Sequence, residues 1–99
     1  MDNQISNEKL EKYFEVTNKA IQEVENKGFS EKNINSLKIA EDFLDMAKRY
    51  FSDAHHFNEK GDIVNAFAAL NYAHGFLDAG ARMGIFNVNN TKLFAAENE

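Results

Sequence analysis

The sequence predicts an all-α protein: an antiparallel up-down-up bundle of three long helices, with a short fourth helix at the C-terminus. Three observations predict it. Proline is absent from all 99 residues, so no backbone amide is lost inside a helix and glycine is left to punctuate the chain. Apolar residues recur at alternating steps of three and four, the period of a helix face rather than the strict alternation of a strand. Third, Gly61-Asp62 joins a residue able to end one helix in the left-handed conformation to one able to cap the next.

Each helix follows from its own pattern. Ser6 or Asn7 caps a first helix that runs to about Lys27, with Gly28 just beyond; Leu10, Phe14, Thr17, Ile21 and Val24 form its inner stripe. Gly28-Phe29-Ser30 reads as a turn, and Ser30 as the cap of a second helix from Glu31 to Lys60, roughly 45 Å long at about 1.5 Å per residue. Its inner stripe is Leu37, Ala40, Leu44, Ala47, Phe51 and Ala54. A second row of Ile39, Phe43, Met46, Tyr50 and Phe57 widens the apolar face enough to meet two neighbours. The third helix returns from Asp62 to about Met83, with Gly84 near its end and small residues interleaved with Phe67, Leu70, Phe76 and Leu77. Small and large side chains in alternation let two helix backbones approach closely. Val88, Leu93 and Phe94 are expected to fold over Ile34 as the fourth helix, capped by Asn90 or Thr91.

Composition bounds the function. A 43% hydrophobic chain with nine phenylalanines and three tyrosines supports one core and one domain over residues 1–99, with 1–6 and 95–99 frayed. A net charge of −5 and scattered basic residues argue against nucleic-acid binding, which needs clustered Lys and Arg. No cysteine is present, so disulfides and thiolate metal sites are excluded. No apolar run is long enough for a membrane span and the N-terminus carries no apolar signal core, so a cytoplasmic protein is expected.

The polar residues admit several chemistries. Asn71, His74, Asp78 and Arg82 line one strip of the third helix. If facing residues of helices two and three have numbers adding to about 122, Tyr72 falls beside Tyr50 and a cluster of Asp45, Arg49, His74, Asp78 and Arg82 forms on one side of the hairpin. Such a cluster suits a small anion or acid–base site. Its structural reading is a pair of ordinary i,i+4 ion pairs, worth about 0.2–0.5 kcal/mol each, beside a rim histidine. Asp53, His55, His56, Glu59 and Asp62 crowd the elbow, but adjacent histidines diverge on a helix and only one such segment exists, so no metal site is assigned and no cofactor is expected. Arg49-x5-His55 and Arg49-x6-His56 look like the arginine–histidine spacing of helical HEPN ribonucleases; in that reading a histidine is the acid–base group and Arg49 the phosphate clamp. The first helix is shorter than the second. Phe57, Ile63, Val64 and Phe67 are therefore expected around an open groove beside the elbow, unless the N-terminal segment with Ile5 covers it.

Residues 50–86 also carry a resemblance. Gly61-Asp62, Ala66-Phe67-Ala68, Tyr72-Ala73-His74-Gly75, Leu77-Asp78-Ala79-Gly80 and Arg82-x-Gly84 resemble a family of small archaeal proteins known as domain of unknown function 357, over residues 7 to 88. The resemblance implies an all-helical bundle and an archaeal cytoplasmic source. It implies no activity; Tyr72, His74, Asp78 and Arg82 carry over from it without a role. The reading of the whole chain is a non-enzymatic interaction module, a homodimer or a partner of another protein, using helix faces or the elbow patch. The alternatives are a HEPN-like RNA-processing nuclease built on Arg49, His55 or His56, or a small anion- or metal-binding helical protein.

Overall fold

The computed structural model describes residues 6–31, 33–89 and 93–94. They form three helices, α1 (Asn7–Lys27), α2 (Ile34–Glu59) and α3 (Ile63–Met83), and among the described residues none is long and apolar enough to cross a membrane. The chain runs up, down and up: Phe14 meets Phe51 between α1 and α2, and Tyr50 meets Tyr72 between α2 and α3.

Local chemistry sets the helix ends. The Ser6 hydroxyl accepts from the Lys9 amide at 3.1 Å, which satisfies one of the amides a helix start leaves unpaired. At the elbow, Gly61 adopts φ +79°, a conformation open to glycine at little cost. The Gly61 amide donates to Asn58 O and the Asp62 amide to Phe57 O, the paired bonds of a Schellman ending. Asp62 then accepts from the Asn65 amide at 3.2 Å and starts α3 with no intervening loop. A second Schellman ending closes α3, where Gly84 at φ +75° donates to Ala81 O and Ile85 to Gly80 O.

The start of α2 departs from the expected position. Its N-cap is Asn33, whose side chain accepts from the Ser36 amide at 2.9 Å, and the helix begins at Ile34. The reason is non-local. Ser30 N–H donates to Ile85 O at 2.9 Å, Asn87 N–H donates to Gly28 O at 3.0 Å, and Phe29 pairs with Phe86 as an antiparallel bridge. Phe29 and Ser30 are thereby tied to the segment that follows α3, and the chain turns helical only beyond Asn33. Asn87 completes the clasp, its amide donating to Lys27 O and Phe29 O.

Packing follows side-chain size. Ala40, Ala47 and Ala54 on α2 are fully buried, as are Ala66 and Ala73 on α3. Both series step by seven residues, which returns to nearly the same helix face every two turns. Across the two helices Tyr50 meets Tyr72 and Phe43 meets Phe76, an antiparallel register in which these facing numbers add to 122 and 119. With methyl groups along the middle of the seam, α2 and α3 pack far more closely than either packs on α1. The next position of the α3 series is Gly80, and there the Phe86 ring takes the space; a Cβ on Gly80 would lie 2.6 Å from Phe86 Cζ.

The core has two parts. One joins Ala20, Ile21 and Val24 of α1 to Ala40 and Ala47 of α2, Leu77 and Ala81 of α3, and Ile85, Phe86 and Phe94 beyond it. The other, near the elbow, joins Leu10 to Ala54, Ala66, Ala69 and Leu70. Leu70 and Leu77 are at most 1% exposed, and burying each contributes about 1.5–3 kcal/mol. Two expectations are corrected here. The elbow groove is filled, because α1 lays Leu10, Tyr13 and Phe14 against Phe57, Ile63 and Phe67; of the four residues expected around it, Val64 alone stays widely exposed, at 66%. The tail does not cover Ile34, which is 63% exposed, and instead drives Phe94 into the core. Leu93 is in a turn and Phe94 is not helical, so the described tail residues form no fourth helix; Asn90 and Thr91 lie outside the described residues.

Candidate functional site

The expected five-residue polar cluster divides in two. Arg49 Nε donates to Asp45 Oδ2 at 2.8 Å, and both side chains are more than half exposed on the solvent side of α2. His74 and Asp78 stand elsewhere, lining a cavity of about 340 Å³ between α1 and α3. α1 supplies Tyr13, Val16 and Thr17 to its wall, and α3 supplies Leu70, Asn71, His74, Gly75 and Asp78. Tyr72 lies beside Tyr50 as the register predicts, but the polar residues of α2 and α3 face apart. Tyr72 and Phe76 point toward α2, and two residues along, about 200° around the axis, His74 points toward α1. Arg82 is exposed near the end of α3.

His74 is fixed by its partners. Its Nε2 lies 2.7 Å from Leu93 O and 3.5 Å from Asp78 Oδ1. Both neighbours are acceptors, so Nε2 carries the hydrogen and donates to the Leu93 carbonyl. A side chain of α3 thus ties down the tail, while Asp78 is half-buried at 29% of its side chain. Thr17, facing this cavity from α1, is 2% exposed. It is the buried polar side chain of the described core, and sequence periodicity assigned it only to fill an apolar stripe.

The nuclease candidates do not converge. The His55 ring packs against Phe14 at 4.5 Å and Phe51 at 4.8 Å, its neighbours in the α1–α2 contact. His56 is exposed beside Phe57, and no contact among the described residues joins either histidine to Arg49. No group of three or more metal-ligating side chains gathers among the described residues. Beside His55, Lys48 reaches across from α2 to Glu25 of α1 at 2.9 Å, and the hydrogen bond and charge of Glu25 raise the lysine pKa above its ordinary value.

A further surface lies on the α2–α3 hairpin, away from α1. Phe43, Phe76, Tyr50 and Tyr72 form a ladder of rings, with centroid separations of 5.5 Å for Phe43–Phe76, 6.0 Å for Tyr50–Phe76 and 5.3 Å for Tyr50–Tyr72. Tyr72 is 61% exposed; helical spacing puts Met83, eleven residues along α3 and 57% exposed, on the same side of α3, and Ile39, 38% exposed, on the same side of α2 as Phe43. The second apolar row of α2 is therefore half-buried by α3 on one flank and open on the other. Pairing of Tyr50 with Tyr72 was legible from register; the continuity of the strip through Phe43, Phe76 and Met83 was not assembled from the sequence.

Neither a curated protein nor a solved structure matches the chain significantly. A family model described as protein of unknown function (DUF357) matches residues 12–86. That span holds most of α1, all of α2 and α3, the Gly61-Asp62 elbow, the cavity wall and the aromatic ladder, and it stops short of Leu93 and Phe94. With three quarters of its length matched, the chain belongs to the DUF357 family of proteins of unknown function.

Proposed function

We propose that this protein is a non-enzymatic self-association module, pairing with a second copy of itself through the aromatic face of the α2–α3 hairpin. The observation that carries the reading is the grouping of Tyr72, Met83 and Ile39 on one face, over the Phe43–Phe76–Tyr50–Tyr72 ladder. Exposed large apolar residues scattered singly need no explanation; grouped on one face they favour an interface. Tyr, Phe and Met are the side chains enriched in interface cores, where charged residues are depleted. A second copy is the favoured occupant because an uncharged apolar strip is complementary to itself, and a two-fold contact uses every residue twice. The cysteine-free composition suits a cytoplasmic setting.

Sedimentation velocity across a concentration series tests the pairing. The expected result is a reversible dimer that tightens at higher salt, because screening relieves repulsion between two chains of charge −5 while apolar burial is unaffected. Tyr72→Asp is expected to give a folded monomer. A protein that stays strictly monomeric at millimolar concentration overturns the reading.

A further inference from the structure

We propose that the cavity between α1 and α3 is a binding site for a small neutral heterocycle that presents an adjacent N–H and C=O, the edge of a nucleobase or cyclic imide. This inference is independent of the aromatic face and uses a different side of α3.

Three features of the cavity point the same way. At about 340 Å³ it has the volume of a small-ligand pocket, with apolar walls and few polar groups. Thr17 faces it at 2% exposure, and its hydroxyl has no hydrogen-bond partner among the described residues. A buried unpaired hydroxyl is costly and calls for an explanation, which a bound molecule would supply. Gly75 sits inside α3, where glycine weakens a helix, and a Cβ there would meet nothing within 4 Å. Among the described residues no contact calls for that glycine, whereas space for a ligand does.

The wall chemistry narrows the ligand. Asn71 offers a carbonyl and an NH₂ side by side, the complement of an adjacent N–H and C=O. The Thr17 hydroxyl donates or accepts from the opposite helix. Val16 and Leu70 give apolar walls for a ring, and Tyr13 is held in place by its 4.8 Å stack on Phe67. Among the described residues the wall carries no Lys or Arg to pair a phosphate, so a phosphate-bearing ligand is disfavoured relative to the free base.

Titration of the full chain with uracil, followed by amide resonances in two-dimensional NMR, tests the site. The expected result is saturable shifts at Thr17, Asn71 and Gly75. Asn71→Ala is expected to weaken binding about tenfold, the loss of one two-pronged contact. Gly75→Leu, which fills the cavity from an open helix position, abolishes binding while circular dichroism stays helical. Uridine monophosphate binds more weakly than uracil if the pocket takes the base alone. 1,3-Dimethyluracil keeps the ring but lacks both N–H donors, and binding as tight as that of uracil overturns edge recognition. Absence of saturable shifts at all three amides with uracil at millimolar concentration overturns the site.

Discussion

Gly75 and Gly80 stand five residues apart on one helix and predict opposite outcomes for the same substitution. Replacing either with alanine returns about 0.5–1 kcal/mol of helix stability, because glycine gives up more backbone freedom on folding. At Gly75 nothing opposes the gain, since the new methyl meets no atom within 4 Å. Gly75→Ala is therefore expected to raise stability by about that amount in urea denaturation. At Gly80 the new methyl runs into the Phe86 ring, 2.6 Å from Cζ, and Phe86 is itself only 2% exposed. The ring has nowhere to swing, and overpacking of this kind costs about 1–3 kcal/mol, more than the helix returns. Gly80→Ala is expected to lower the urea midpoint, and Gly80→Ala with Phe86→Leu to recover part of the loss. In the sequence both are glycines set among the alanines of one helix. The sequence held no signal to separate them, because the atom that decides the matter arrives from beyond the end of the helix.

Elements were legible where their ends are local and illegible where they are not. Ser6, Gly61, Asp62 and Gly84 each act on amides or carbonyls within five residues, so the bounds of α1 and α3 and the elbow could be read directly. Gly61→Ala is expected to cost about 1–2 kcal/mol, since a Cβ is disfavoured in the left-handed region. Asp62→Ala is expected to cost about 1 kcal/mol for the lost cap. Neither opens the hairpin, because the alanine seam holds it. The start of α2 was misplaced by three residues: Ser30 belongs to a segment bonded to Ile85, fifty-five residues away, and Asn33 takes the cap. Packing also orders the elements. α1 lies against the hairpin less closely than α2 and α3 lie on each other, so hydrogen exchange is expected to show α1 amides opening first and those at Ala47 and Ala73 last. One tie between α1 and α2 has a defined pH range. Glu25 raises the Lys48 pKa above its ordinary 10.5, so the lysine's share of the pair is complete below pH 10.5 and is lost as pH climbs through the raised value. Melting curves of the wild type and Lys48→Met are accordingly expected to keep a constant offset from neutral pH up to that value and to converge above it.

The whole molecule depends on a residue that lies outside the family region. The family match ends at residue 86, yet Phe94, 1% exposed, is the largest of the fully buried side chains. It enters the core beside Ile21, Val24, Leu77 and Phe86, and the bond from His74 to Leu93 O fixes the tail one residue earlier. The sequence suggested that Leu93 and Phe94 would cover apolar surface, but placed that surface at Ile34. Helix periodicity carries no information about which face a non-helical tail will choose. The same blindness to angle scattered the polar cluster: numbering sets how far along a helix two residues meet, not whether they meet at all. Phe94→Ala in the full chain tests the dependence on the tail. Removing a buried ring of this size costs about 3–5 kcal/mol, and each kcal/mol lowers the melting temperature of a domain this small by about 4–8 °C. Since the total stability of such a domain is about 5–15 kcal/mol, the variant is expected to lose a large share of it, read as a melting temperature lowered by more than about 10 °C. His74→Ala, which removes the latch and leaves the ring, is expected to cost much less, about 0.5–1.5 kcal/mol for one hydrogen bond. If the two variants melt together, the latch rather than the ring holds the tail. If Phe94→Ala melts like the wild type, the three helices are sufficient without it.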